Sequence, residues 1–126
     1  MTARITRLDS PAQTMVLASQ DDRLPVVVYW GACLPLEIEL QPLVALNQRP
    51  LGHGMLDEPA ALSTCPEHGR GFPGYAGLQG HRAGGRAWTG QFQLERWTAR
   101  DNGLSVEALD APAGLRLVQE ISLNSA

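Results

Sequence analysis

The sequence predicts an all-β chain, an antiparallel β-sandwich interrupted by one long glycine-rich loop. Three observations predict it. Short apolar or alternating segments recur at roughly 8–12-residue spacing, divided by Gly, Asn, Asp and Pro turns, as in a sandwich. No stretch of helical period is long enough to cover a parallel sheet. Ten of the thirteen glycines and all three histidines (His53, His68 and His81) fall between Leu51 and Gln91, where strand patterning stops.

Residues 4–8 alternate weakly and end at the turn signal of Asp9, Ser10 and Pro11. Residues 14–18 are apolar and run into the polar turn of Ser19, Gln20, Asp21 and Asp22. Residues 25–30 make the strongest strand. Val26, Val27, Val28, Tyr29 and Trp30 form an unbroken run closed by Gly31, of the kind covered on both faces. Residues 36–40 alternate strictly, so as a strand they send Leu36, Ile38 and Leu40 inward and Glu37 and Glu39 outward. The same residues fit a short helix with Leu43 and Leu46, and a helical turn over 42–46 would end before Pro50.

Beyond the loop, residues 91–98 place Phe92 and Leu94 on one face, and Trp97 breaks that parity as a bulge or an edge would. Asp101, Asn102 and Gly103 form a tight-turn signal. Residues 104–110 alternate, 111–114 turn, and 115–123 start another strand. The sandwich is expected to bury the 26–30 strand against Phe92, Leu94, Val106, Leu117 and Ile121, so that Val27→Ala would cost roughly 2 kcal/mol. The sequence stops almost where its last strand ends, like a piece of something longer. An incomplete sandwich leaves an open strand edge, which dimerisation would relieve.

A chain of 126 residues makes one sandwich domain over 1–126, too short for most complete enzymes of the large folds. The hydrophobic fraction of 44% is ordinary, but 18% charged residues is lean for a soluble surface, so part of it is expected to be covered. A net charge of −3 argues against a general nucleic-acid or anionic-membrane binder. All ten basic residues are arginine, which suits planar, bidentate recognition but follows more simply from codon bias in a GC-rich genome. The N-terminus has no signal-peptide run and nothing later suits a bilayer span, so a cytoplasmic location is expected, with Cys33 and Cys65 as reduced thiols. Cys65 and His68 sit three apart, but there is no CxxC, and a tetrahedral site would need Cys33 and His53 or His81 to converge. Neither a metal nor any other cofactor is expected.

Function is expected in the glycine-rich loop, since long loops of compact domains are usually functional or disordered. No Gly-x-Ser-x-Gly elbow surrounds its serines, and its glycine pairs do not open a helix after a strand, as a phosphate cradle requires. Asp57, Glu58 and Glu67 are carboxylates of the type glycosidases pair at about 5–5.5 or 6.5–9.5 Å, although acids in loops are usually only solvated. Sugar recognition is better supported: an aromatic face lies under the ring, and Arg, His and Glu bind its hydroxyls. The substrate-pocket candidates are Glu67, His68, Arg70, Tyr75, His81, Arg82 and Trp88, with Arg86 in the same loop. The rival reading is stapling, with aromatics folded under the loop and Arg bonding backbone carbonyls. On residue types alone, stapling ranks first.

Several segments, taken in order, resemble the N-terminal domain of family 36 glycoside hydrolases, the large bacterial and fungal α-galactosidases. They are residues 24–34, which carry the Val26-to-Trp30 run, and the acidic-proline piece 56–63. Residues 66–72 with Glu67, His68 and Arg70, residues 78–82 with Trp88, and the paired strands of 106–123 complete the series. The resemblance implies part of a β-supersandwich, followed in the parent by a (β/α)₈ barrel of about 250 residues. That barrel would hold the two catalytic aspartates for retaining hydrolysis of α-galactosides such as melibiose and raffinose. No catalytic residue carries over to this chain, which is expected to be inactive alone. In oligomeric members, loops of this domain reach toward a neighbouring subunit's active site. The implied partners are therefore the barrel, neighbouring subunits and, through the parent enzyme, α-galactosides. On that analogy Glu67, His68, Arg70, His81 and Arg82 would shape a pocket whose chemistry lies elsewhere. Relatives place an acidic residue and an Arg after the second loop glycine, where this chain has Phe72, Pro73 and Gly74, so Arg70 or Arg82 would have to substitute. The alternative is a free-standing carbohydrate- or protein-binding module using Tyr75 and Trp88. A third reading is a small hydrolase built on Glu67 and Asp57.

Overall fold

Alternation and turn chemistry divide the chain into six strands in a computed structural model that describes residues 3–54 and 59–124. The first sheet holds β1 (Arg4–Asp9), β2 (Thr14–Ser19) and β3 (Val26–Gly31) in that order. The second holds β4 (Gln93–Arg100), β5 (Gly103–Asp110) and β6 (Leu115–Ser122). Every pairing is antiparallel, joining consecutive strands. Between β2 and β3, Asp21 and Asp22 both take positive φ (53° and 52°) while Arg23 N–H donates to the Gln20 carbonyl at 3.0 Å. That double left-handed turn follows the twist of the strands, and Asp tolerates it better than most residues.

The core lies between the sheets. Leu8, Met15 and Leu17 meet Leu94, Leu104, Val106 and Leu123, with Trp97 and Ile121 packed alongside. A second cluster joins Leu24, Phe92 and Ala108, with Cys65, Leu115 and Leu117 against it. The fold is the all-β sandwich that the strand spacing predicts. A register shift between Leu94 and Arg96 lets both Leu94 and Trp97 face inward, which accounts for the parity break at Trp97. Trp97 also ties the sheets together, its Nε1–H donating to Thr6 Oγ1 of β1 at 2.8 Å. Trp97→Phe keeps most of the packing and loses that bond. It is expected to lower stability by about 1 kcal/mol in urea denaturation.

The strand assignment needs one correction. The 26–30 run is an edge strand and is not covered on both faces: Val27 is 39% and Trp30 63% exposed. The central place belongs to β2, buried along its whole length. β-Branched runs report a fit to the pleat, and position within a sheet depends on which strands pair. On the side of β2 that carries Thr14, Val16 and Ala18, the segment after β3 is anchored. There Leu34 N–H donates to Thr14 Oγ1 at 3.1 Å, and Arg7 donates to the carbonyls of Leu34 and Pro35. Of the two readings of residues 36–40 the strand fails, and the helical turn expected over 42–46 is present. Leu36 is 83% exposed, and Leu40 opens the helix α1 (Leu40–Leu46), which contacts β3 and buries Val44. Five alternating residues cannot hold a strand without a ladder partner, whereas Pro42 is tolerated in the first turn of a helix.

Residues 63–64 bridge the two sheets at their other margin. Ser63 pairs with Val26, Thr64 N–H donates to the Pro25 carbonyl at 2.7 Å, and Thr64 Oγ1 bonds Gln119 Oε1 of β6 at 2.8 Å. Leu56, Asp57 and Glu58 lie outside the described residues, and with them the acidic part of the 56–63 piece and the Asp57–Glu67 carboxylate pair. Among the described residues, no helix is long and apolar enough to cross a membrane.

Candidate functional site

The glycine-rich loop returns to the sandwich at residues 91–92, where three side chains seize the backbone. Glu67, 6% exposed, accepts Phe92 N–H at 2.5 Å. Arg70 Nη2 donates to the Phe92 carbonyl at 3.0 Å, and Asp110 Oδ2 accepts Gln91 N–H at 3.1 Å. Asp110 Oδ1 also accepts Ala113 N–H, so one buried carboxylate joins the loop's return to the β5–β6 turn.

Two glycines are required by close approach. A Cβ on Gly69 would lie 2.5 Å from the Gly90 carbonyl oxygen, which already accepts Gly69 N–H at 3.1 Å. A Cβ on Gly77 would lie 2.6 Å from Cys65 Sγ. At both positions the glycine content of the loop permits dense backbone packing.

Arg82 reaches the same turn from the other side, its Nε donating to the Ala113 carbonyl at 2.7 Å and its Nη2 to the Gly114 carbonyl at 3.4 Å. Its own N–H donates to the Arg86 carbonyl, closing a small hairpin in which Arg86 Nε bonds the Ala83 carbonyl. His68 Nε2 lies 3.1 Å from the Gly74 carbonyl, and His81 Nδ1 lies 2.8 Å from that of Arg82. Glu67, His68, Arg70, His81 and Arg82 are therefore all engaged with backbone, which is the geometry of stapling. The aromatics are placed otherwise: Tyr75 is 93% and Trp88 67% exposed, so neither folds under the loop.

The electrostatics follow from burial. Loss of solvent pushes the Glu67 carboxyl above its ordinary value. The Phe92 N–H and the Arg70 cation pull it down, Asp110 adds to the rise, Arg23 opposes it, and the net direction is upward. Burial, helped by the charge of Glu67, likewise raises the Cys65 thiol, a direction that makes it a poor nucleophile. Both Cys33 and Cys65 are free. No group of three or more His, Cys, Asp and Glu side chains suited to a metal converges among the described residues. Two open clefts lie away from the loop, one of about 570 Å³ between β1 and β4 at Thr6 and Trp97, the other of about 410 Å³ by the β4–β5 turn.

Asp110 and Arg23 belong to the buried charge cluster although sequence reasoning passes over both. For Asp110 a signal existed, since an Asp closing a strand ahead of a turn commonly accepts a turn N–H. Arg23 carries no such signal. The arrangement holds a loop in one conformation and presents two aromatic rings to solvent. No protein-family model matches the chain, and no curated protein or solved structure matches it.

Proposed function

We propose that the chain is a non-catalytic β-sandwich module, the N-terminal part of an α-galactosidase-like glycoside hydrolase of the cytoplasm. Its glycine-rich loop docks against the barrel or a neighbouring subunit of that enzyme, and it has no activity alone. The observation that carries the reading is the division of labour in the loop. Glu67, Arg70 and Arg82 are tied to backbone groups, while Tyr75 and Trp88 stand outward. Exposed aromatics on a rigid base suit a protein interface, where such residues supply most of the binding energy.

The test starts with the reading frame after codon 126, expected to continue into strand–helix alternation. The downstream segment, produced separately, is then expected to bind this chain. Tyr75→Ala with Trp88→Ala should weaken that binding about tenfold or more, with no change in melting temperature. A stop codon at 127, or binding indifferent to both substitutions, overturns the reading. The same two rings favour a second reading, direct sugar binding by a free-standing module. Calorimetric titration with melibiose decides for it if it gives a saturable heat that Trp88→Ala abolishes.

A further inference from the structure

Four strand edges border the two sheets, and three carry features that discourage further pairing. β1 is only six residues long and bears Arg4 and Arg7. β3 has a register shift against β2, and Ser63 pairs with it at Val26. β4 has its own register shift and bears Arg96 and Arg100. β6 also bears charges, Arg116 and Glu120, and its Gln119 side chain accepts Thr64 Oγ1–H, but it has no register shift and, among the described residues, no backbone pairing on its outer side. Its ladder with β5 runs unshifted from Asp110↔Leu115 to Gly103↔Ser122, it holds neither Pro nor Gly, and no described segment pairs with its outer edge.

The solvent-facing side chains of β6 are Arg116, Val118, Glu120 and Ser122. Around them the face is polar, with Arg116 paired to Glu95 and Glu107 and Ser105 bonded to Glu120. Val118, 54% exposed, is the apolar exception at the centre of the strand.

We propose that the free edge of β6 binds a second copy of this chain. The two β6 strands pair antiparallel about a two-fold axis at Val118, which merges the two three-stranded sheets into one of six. Such an axis, perpendicular to the sheet, keeps outward residues on the same face, so only registers that match outward with outward residues are open. Centring on Val118 sets it against the partner's Val118. It also sets Arg116 opposite the partner's Glu120 at two symmetric positions, and on the inner face Leu115 opposite the partner's Ile121. Moving the axis one residue to Gln119 sets Val118 against the partner's Glu120. Moving it to Leu117 sets Val118 against the partner's Arg116. Only the Val118 register is complementary in both charge and apolarity, the pairings that stabilise neighbouring strands. The dimer uses neither Tyr75 nor Trp88, so it stands or falls apart from the loop's role.

Sedimentation over a range of concentrations is expected to show a reversible dimer. Arg116→Glu or Glu120→Arg alone sets like charges opposite each other twice and should weaken it about tenfold or more. The double variant R116E/E120R should restore it, which a mere loss of folding would not allow. In a C33S background, V118C should form an intermolecular disulfide under mild oxidation, while S122C, which would face the partner's Gly114, should not. A monomer at every concentration overturns the proposal, as does a dimer unmoved by the charge reversals or cross-linked equally by S122C.

Discussion

Leu17→Ala is expected to lower stability by about 3 kcal/mol, while Val27→Ala is expected to cost less than about 1 kcal/mol. Both residues sit in apolar strands, and the sequence ranks the strand of Val27 the stronger. Their surroundings differ. Leu17 is fully buried between the sheets with Met15, Leu104 and Val106, whereas Val27 lies on an edge strand, 39% exposed. Truncating Leu17 removes buried methyl groups and leaves a cavity that two hydrogen-bonded sheets cannot close. Truncating Val27 mostly exchanges one solvated group for a smaller one. Urea denaturation of both variants checks the contrast, and equal losses would mean that β3 is not at the edge.

Glu67→Ala is expected to cost about 3 kcal/mol, as much as a core truncation, because it deprives a buried donor and nearby cations at once. Phe92 N–H loses its acceptor, and Arg70 and Arg23, each with a buried Nε that has no partner among the described residues, lose a counter-charge. Glu67→Gln keeps an acceptor for Phe92 and is expected to stay within about 1 kcal/mol of wild type at neutral pH.

The pair also predicts a pH dependence. Burial raises the Glu67 carboxyl, so the folded state holds that proton to higher pH than the unfolded state does. Its contribution is complete below the ordinary value of 4.5 and is lost as pH rises through the folded value. Asp9 works in the opposite sense. Its carboxyl is lowered by the hydrogen bond from Arg7, so its contribution is lost as pH falls, but it does so equally in both proteins and cancels. Wild type should therefore lose ground to Glu67→Gln as pH rises above the ordinary carboxyl value of 4.5. A stability gap that stays flat would show that Glu67 is solvated, and one that moves toward wild type as pH rises would show that Arg70 and the Phe92 N–H outweigh its burial.

The sandwich itself was legible because turns and alternation are local. Asp101, Asn102 and Gly103 end β4 and begin β5 where the turn signal stands, and the mismatch at Trp97 marks a real bulge. The place of each strand was not legible. Val26 to Trp30 and Thr14 to Ala18 read alike as apolar runs, and only pairing on both sides makes one of them central. The seven candidate residues fall in one stretch of sequence, but their types could not show where each would point. Arg70 and Arg82 spend donors on Phe92 and Ala113 carbonyls, 22 and 31 residues away along the chain.

By itself the sequence determined the strands, the turns and the compass of the loop, since each depends on residues within a few positions of one another. The tertiary structure alone decided that β2 is the buried centre, that Glu67 and Arg70 turn to the protein while Tyr75 and Trp88 face solvent, and that β6 is an edge with an unshifted ladder. Those outcomes depend on contacts between residues far apart in the chain, and burial, which sets both packing energy and the cost of a charge, exists only after those contacts form.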